Sequence, residues 1–118
     1  SRVLKNYNEV HDKCKELAKE MNLTLYIHDD DKLPSVKDQH IAFKSAKILV
    51  APHGGGNINL LAMDEGTTFV EIMDDKWPNK CFLRVAVHMN INYYGVSSKN
   101  WIADIKSLTD VFKKISNK

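Results

Sequence analysis

The chain has 118 residues, room for one compact domain, and its 43% hydrophobic and 27% charged content is that of a folded globular protein rather than a disordered one. A net charge of +2, with histidines counted as neutral and lysines dispersed along the chain, excludes the basic footprint of a nucleic-acid binder. No apolar run is long enough to span a membrane, so no membrane segment is expected.

Arg2, Val3 and Leu4 read as the tail of a strand, and so abrupt a start leads us to expect part of a longer protein. Val10, Cys14, Leu17, Ala18 and Met21 then recur at helical spacing, with Lys13, Lys15, Glu16, Lys19 and Glu20 on the polar side. This predicts an amphipathic helix capped by Asn6 or Asn8 and ended by Asn22. Leu23, Thr24, Leu25, Tyr26, Ile27 and His28 are strand formers and predict the next strand. Asp29, Asp30 and Asp31 follow it. An acidic cluster there suits Mg²⁺ or a phosphoryl group, but no lysine and threonine stand at the ends of later strands to complete such a site, so a solvated turn is the favoured reading. Pro34 opens a helix containing Val36, His40, Ile41, Phe43 and Lys44.

Ile48 to Ala51 is a short apolar run that reads as a buried strand, central in its sheet, and Pro52 marks where it leaves the ladder. His53, Gly54, Gly55 and Gly56 follow, and Asn57 to Met63 looks like the opening of a helix. Strand, glycine turn and helix start together present free N–H groups and a positive dipole end to an anion. The alternative for the same residues is a plain tight turn. Thr67 to Ile72 is β-branched and aromatic, a further strand, with Glu71 as its anomaly: a carboxylate in an apolar run needs either an internal donor or a polar ligand. Cys81, Phe82, Val85, Ala86 and Met89 mark a helix, Asn92 to Val96 a strand, and Ser97 to Asn100 a polar turn. Ile102, Ile105, Leu108, Phe112 and Ile115 define a terminal amphipathic helix that ends in Lys113 and Lys114. Cys14 and Cys81 belong to no metal or redox spacing and read as small core hydrophobes.

Strands alternating with helices predict a single α/β domain over residues 1–118, a Rossmann-like three-layer αβα arrangement with a mostly parallel sheet of about five strands. Ligands bind beyond the carboxyl ends of such strands, where His28, the three aspartates, His53, the glycines and Glu71 are expected to converge.

These residues resemble glycosyltransferase family 61, whose signature is a strand ending in His-Gly-Ala-Gly-Leu-Thr-Asn, then a hydrophobic helix, then a strand ending in Glu. The corresponding residues are His53, Gly54, Gly55, Gly56, Asn57, Ile58 and Asn59, then Leu60 to Met63, then Phe69, Val70 and Glu71. Gln39, Phe43 and Ala46 fit the helix before the signature. Arg2, Asn8 and Glu9 look like an Arg-x-x-x-Asn-Glu segment at altered spacing, and Tyr93 and Tyr94 resemble the closing aromatic strand. Gly55 stands for Ala, and Asn57 and Ile58 stand where the family has Leu and Thr or Ala.

The resemblance implies the C-terminal, donor-binding lobe of a two-lobed, inverting, GT-B type glycosyltransferase, with an N-terminal acceptor lobe outside this chain. It implies a nucleotide-sugar donor, a UDP-sugar by expectation, and a glycan or protein acceptor, in either the bacterial cytoplasm or the secretory lumen. Arg2, His53, Gly54, Gly55, Gly56, Asn57, Asn59 and Glu71 are the expected nucleotide- and diphosphate-binding residues, Glu71 through the ribose hydroxyls. The loop N–H groups would stabilise the departing diphosphate, so no metal and no cofactor beyond the donor is expected. His53 is a candidate for the catalytic base and equally a residue that orients the glycine loop. A non-catalytic nucleotide-binding or assembly module of the same fold is the alternative.

Overall fold

The computed structural model describes residues 4–26, 35–53, 60–76 and 80–117, apart from the side chains of Val36 and His40. Among these residues the elements are α1 (Tyr7–Glu20), α2 (Val36–Ser45), β1 (Ile48–Pro52), β2 (Thr68–Asp74), α3 (Cys81–His88), β3 (Asn92–Lys99), β4 (Ile102–Ala103) and α4 (Ile105–Ser116). β1, β2 and β3 lie side by side and parallel, and β4 turns back antiparallel on β3. The fold is α/β with a mostly parallel sheet, as the alternating pattern predicts.

Pleating sorts the strand residues onto two faces. Val70, Ile72 and Val96 pack with Val10 and Leu17 of α1 and with Leu108, Val111 and Phe112 of α4. Phe69 packs on the opposite face with Leu60, Met63, Ile91 and, from α3, Phe82 and Ala86. Each fully buried side chain of this size contributes roughly 1.5–3 kcal/mol, and these two clusters hold helices against both faces of the sheet.

The sheet departs from expectation in extent. It has four strands among the described residues, where about five were expected from the alternation. Residues 23–26, expected to begin a strand, are not in one; Leu25 and Tyr26 face solvent, and β propensity makes a strand only where a buried face supports it. β1 lies at the edge of the described sheet, with β2 and β3 inside it, whereas Ile48–Ala51 was expected to be central. Burial agrees: every residue of β1 is half-buried, whereas all of β2 but Met73 is buried. Of the helix expected from Asn57, the described part is a single 3₁₀ turn over residues 60–62, closed by Met63 N–H on Leu60 O at 3.0 Å.

Several termini follow from local chemistry. Asn22 takes φ 57°, and the next N–H, of Leu23, donates to Ala18 O at 2.8 Å, a left-handed stop for α1. Asn90 repeats the device after α3, with φ 56° and Ile91 N–H on Ala86 O at 2.9 Å. Ser35 caps α2 and Asp104 caps α4, each accepting the N–H three residues on, so Ile102 falls before α4, in β4, rather than in the helix. β3 runs through Lys99 instead of ending at a polar turn, and the reversal is made by Asn100 and Trp101, at φ 52° and 61°. A tryptophan at positive φ is strained, and tertiary contacts hold it: Asp74 accepts Trp101 N–H at 3.0 Å, and Trp101 O accepts Lys5 N–H at 2.8 Å.

Asn6 precedes α1 but makes no side-chain cap. Its amide instead pairs with both main-chain groups of Ala103, accepting N–H at 2.8 Å and donating to O at 3.0 Å, and so ties α1 to β4. Asn6→Ala leaves the N–H of Ala103, a buried residue, without that acceptor, and should lower unfolding free energy by about 1–3 kcal/mol in denaturant melts.

Cys14 is half-buried and Cys81 exposed, so Cys14 alone behaves as the core residue expected of both. Burial pushes the Cys14 thiol up to about 11. Because the thiolate is the reactive form, alkylation at mildly alkaline pH should modify Cys81 well before Cys14, as read by peptide mass mapping. Equal rates would mean that α1 does not seat Cys14 in the core.

Candidate functional site

The site begins where β1 ends. Pro52 closes the strand, and His53 N–H still donates to Ile72 O at 2.9 Å, so the main chain of His53 is fixed to β2. The parallel register sets Ala51 opposite Glu71 and Glu71 opposite Gly95. His53 therefore stands two residues beyond one partner of Glu71, and Tyr93 two residues before the other, all on one face. Long side chains reach across such diagonals, and these do: His53 Nδ1 lies 2.8 Å from Glu71 Oε2, and Tyr93 O–H donates to Glu71 Oε1 at 2.6 Å.

Glu71 has no exposed surface, while the His53 side chain keeps 15%. The flanking positions leave room for the carboxylate: Ala51 is small, and a Cβ at Gly95 would meet nothing nearer than Tyr93 Cε1 at 3.9 Å. Aromatic rings wall the group. Phe82, from the first turn of α3, meets the His53 ring edge-on at 5.3 Å, and Phe69 meets Tyr93 likewise at 5.8 Å. Burial first, and then the hydrogen bond and charge of Glu71, raise the Tyr93 phenol above its ordinary value. Tyr93 thus stays protonated and remains a donor.

An ionised carboxylate only accepts hydrogen bonds, so a neutral imidazole in this contact would carry its proton on Nδ1 and a lone pair on Nε2. A base oriented by a carboxylate is an arrangement that can take a proton from a hydroxyl. It can equally hold the start of a loop in one orientation.

Of the residues expected to converge here, the structure brings His53 and Glu71 together. Glu71 is met by internal donors and has no exposed surface, so a direct contact with ribose hydroxyls would need the site to open. Arg2, Gly54, Gly55, Gly56, Asn57 and Asn59 lie outside the described residues, as do His28 and the three aspartates. Tyr93 and Phe82 are partners that the sequence reading treats only as strand and helix residues. The same-face spacing of Tyr93 and Gly95 was a signal, but using it required knowing that Gly95 pairs with Glu71.

The family model described as Glycosyltransferase 61 matches residues 1–70, which span α1, α2, β1, His53 and the glycine segment. Comparisons with curated proteins and with solved structures return no match.

Glu71→Gln replaces one acceptor oxygen with a donating amide in a site closed to solvent. Denaturant melts should show a loss of about 1–3 kcal/mol. An unchanged midpoint would mean that the carboxylate is solvated and free to meet a ligand.

Proposed function

The chain belongs to glycosyltransferase family 61, and on that footing we propose that it is the donor-binding domain of a metal-independent, inverting enzyme that uses a nucleotide sugar, a UDP-sugar by preference. Sugar transfer is the chemistry of the family. The finer reading rests on one observation: His53, the residue that leads into three glycines at the carboxyl end of β1, is held from its main chain and from its ring. In parallel sheets that end of the strands is where ligands bind.

In this reading the N–H groups of Gly54, Gly55 and Gly56, with the side chains of Asn57 and Asn59, receive the diphosphate, and Arg2 adds positive charge. As the bond from the anomeric carbon to the diphosphate breaks, the negative charge grows on the leaving oxygen, and hydrogen-bond donors that meet it lower the barrier. That is the task a divalent cation performs elsewhere. Glu71 serves through His53 rather than through the nucleotide.

Calorimetric titration of the chain with UDP should give the same affinity with and without Mg²⁺, and Gly56→Val should abolish binding, because a side chain would occupy the space of the anion. Unchanged affinity in a folded Gly56→Val variant counts against the phosphate loop. Binding without sugar transfer by the complete gene product would point instead to a nucleotide-binding module.

A further inference from the structure

Three adjacent strands contribute one polar side chain each to a single line: Tyr93 from β3, Glu71 from β2 and His53 from the end of β1. The line crosses the sheet diagonally, with the small residues Ala51 and Gly95 directly opposite Glu71 on the two neighbouring strands. The carboxylate at the middle of the line has no exposed surface, while both ends are partly exposed, the imidazole by 15%.

We propose that Glu71 and Tyr93 are positioning residues that hold His53 in its Nδ1–H tautomer and so keep Nε2 as a proton acceptor on the residue that precedes the glycines in sequence. The donor-site reading is needed only to say what Nε2 meets, namely a hydroxyl of the sugar nucleotide or of its acceptor. Each member has a distinct task. Tyr93 donates to Oε1 and fixes the rotation of the carboxylate, which aims Oε2 at Nδ1. Glu71 then takes the Nδ1 proton, which leaves the lone pair on Nε2. Phe82 closes on the ring edge and limits its rotation, so that the carboxylate and the aromatic contact select the same orientation. The raised Tyr93 phenol agrees with this order of donation, since a phenolate at that position would repel Glu71.

The line also explains why the site uses a tyrosine on β3. Phenylalanine would keep the edge contact with Phe69 and lose only the donor, so Tyr93→Phe separates the polar task from the packing task. The test is long-range proton–nitrogen correlation spectroscopy on the nitrogen-15-labelled chain, at an alkaline pH where imidazoles are neutral. This reads the tautomer of each histidine directly. His53 should show a protonated Nδ1 in the wild type, a mixture of tautomers in Tyr93→Phe, and loss of the Nδ1–H preference in Glu71→Gln. A melting curve for Tyr93→Phe close to that of the wild type makes it the decisive variant if Glu71→Gln fails to fold. A protonated Nε2 in wild-type His53, or the wild-type tautomer retained in Tyr93→Phe, overturns the proposal. UDP titrated into the same samples tests the donor reading separately. A fixed Nδ1–H tautomer without UDP binding upholds the positioning of His53 and sinks the donor site, and UDP binding with a free tautomer does the reverse.

Discussion

A carboxylate with no exposed surface stands in the middle of an inner strand, and much of the surrounding structure follows from that. Leaving such a group unpaired would cost several kcal/mol, so the fold must bring it hydrogen-bond donors. They come from both neighbouring strands, His53 beyond β1 and Tyr93 on β3, and each reaches Glu71 along a diagonal of the sheet. The register is thereby constrained: a slip of one residue in either pairing would turn that strand's donor to the opposite face and take one hydrogen bond from the carboxylate.

The carboxyl end of β2 is held by a different device. Asp74 accepts the N–H groups of Lys76 and Trp101, which fastens the start of the following loop to the β3–β4 turn. The main-chain hydrogen bonds to Asp74 draw its carboxyl below the usual range, so it stays ionised and keeps accepting. Glu71 and Asp74 are therefore two acidic residues of one strand with separate tasks. One orients a histidine, and the other stabilises a turn whose tryptophan has a backbone conformation that few bulky residues adopt.

The family match ends at Val70, one residue before Glu71, so the polar line joins a segment inside the matched span to partners beyond it. His53 lies within the span; Glu71, Phe82 and Tyr93 do not. The matched half supplies the loop and its entry residue, and the remaining half supplies the side chains that fix that residue in place. The match ends within β2, which makes the site a property of the assembled sheet rather than of either segment.

The sequence by itself determined the class of the fold, because helical and strand periodicities are local. α1, α3 and α4 could be read from apolar spacing, β1 and β2 from short apolar runs, and the end of α1 from one asparagine. The glycine segment and its histidine were legible as a motif, and with them the family. Tertiary structure alone decided which strands lie inside the sheet, where β3 ends and what Glu71 touches. Residues 23–26 have the composition of a strand and are not in one, since composition does not say whether a face will be covered. The β3–β4 hairpin was hidden because its turn uses a tryptophan, held from outside by Asp74 and Lys5. The partnership of Tyr93 with Glu71 joins residues 22 apart through a register that no local pattern encodes, for strand pairing is settled only when both faces of the sheet are packed.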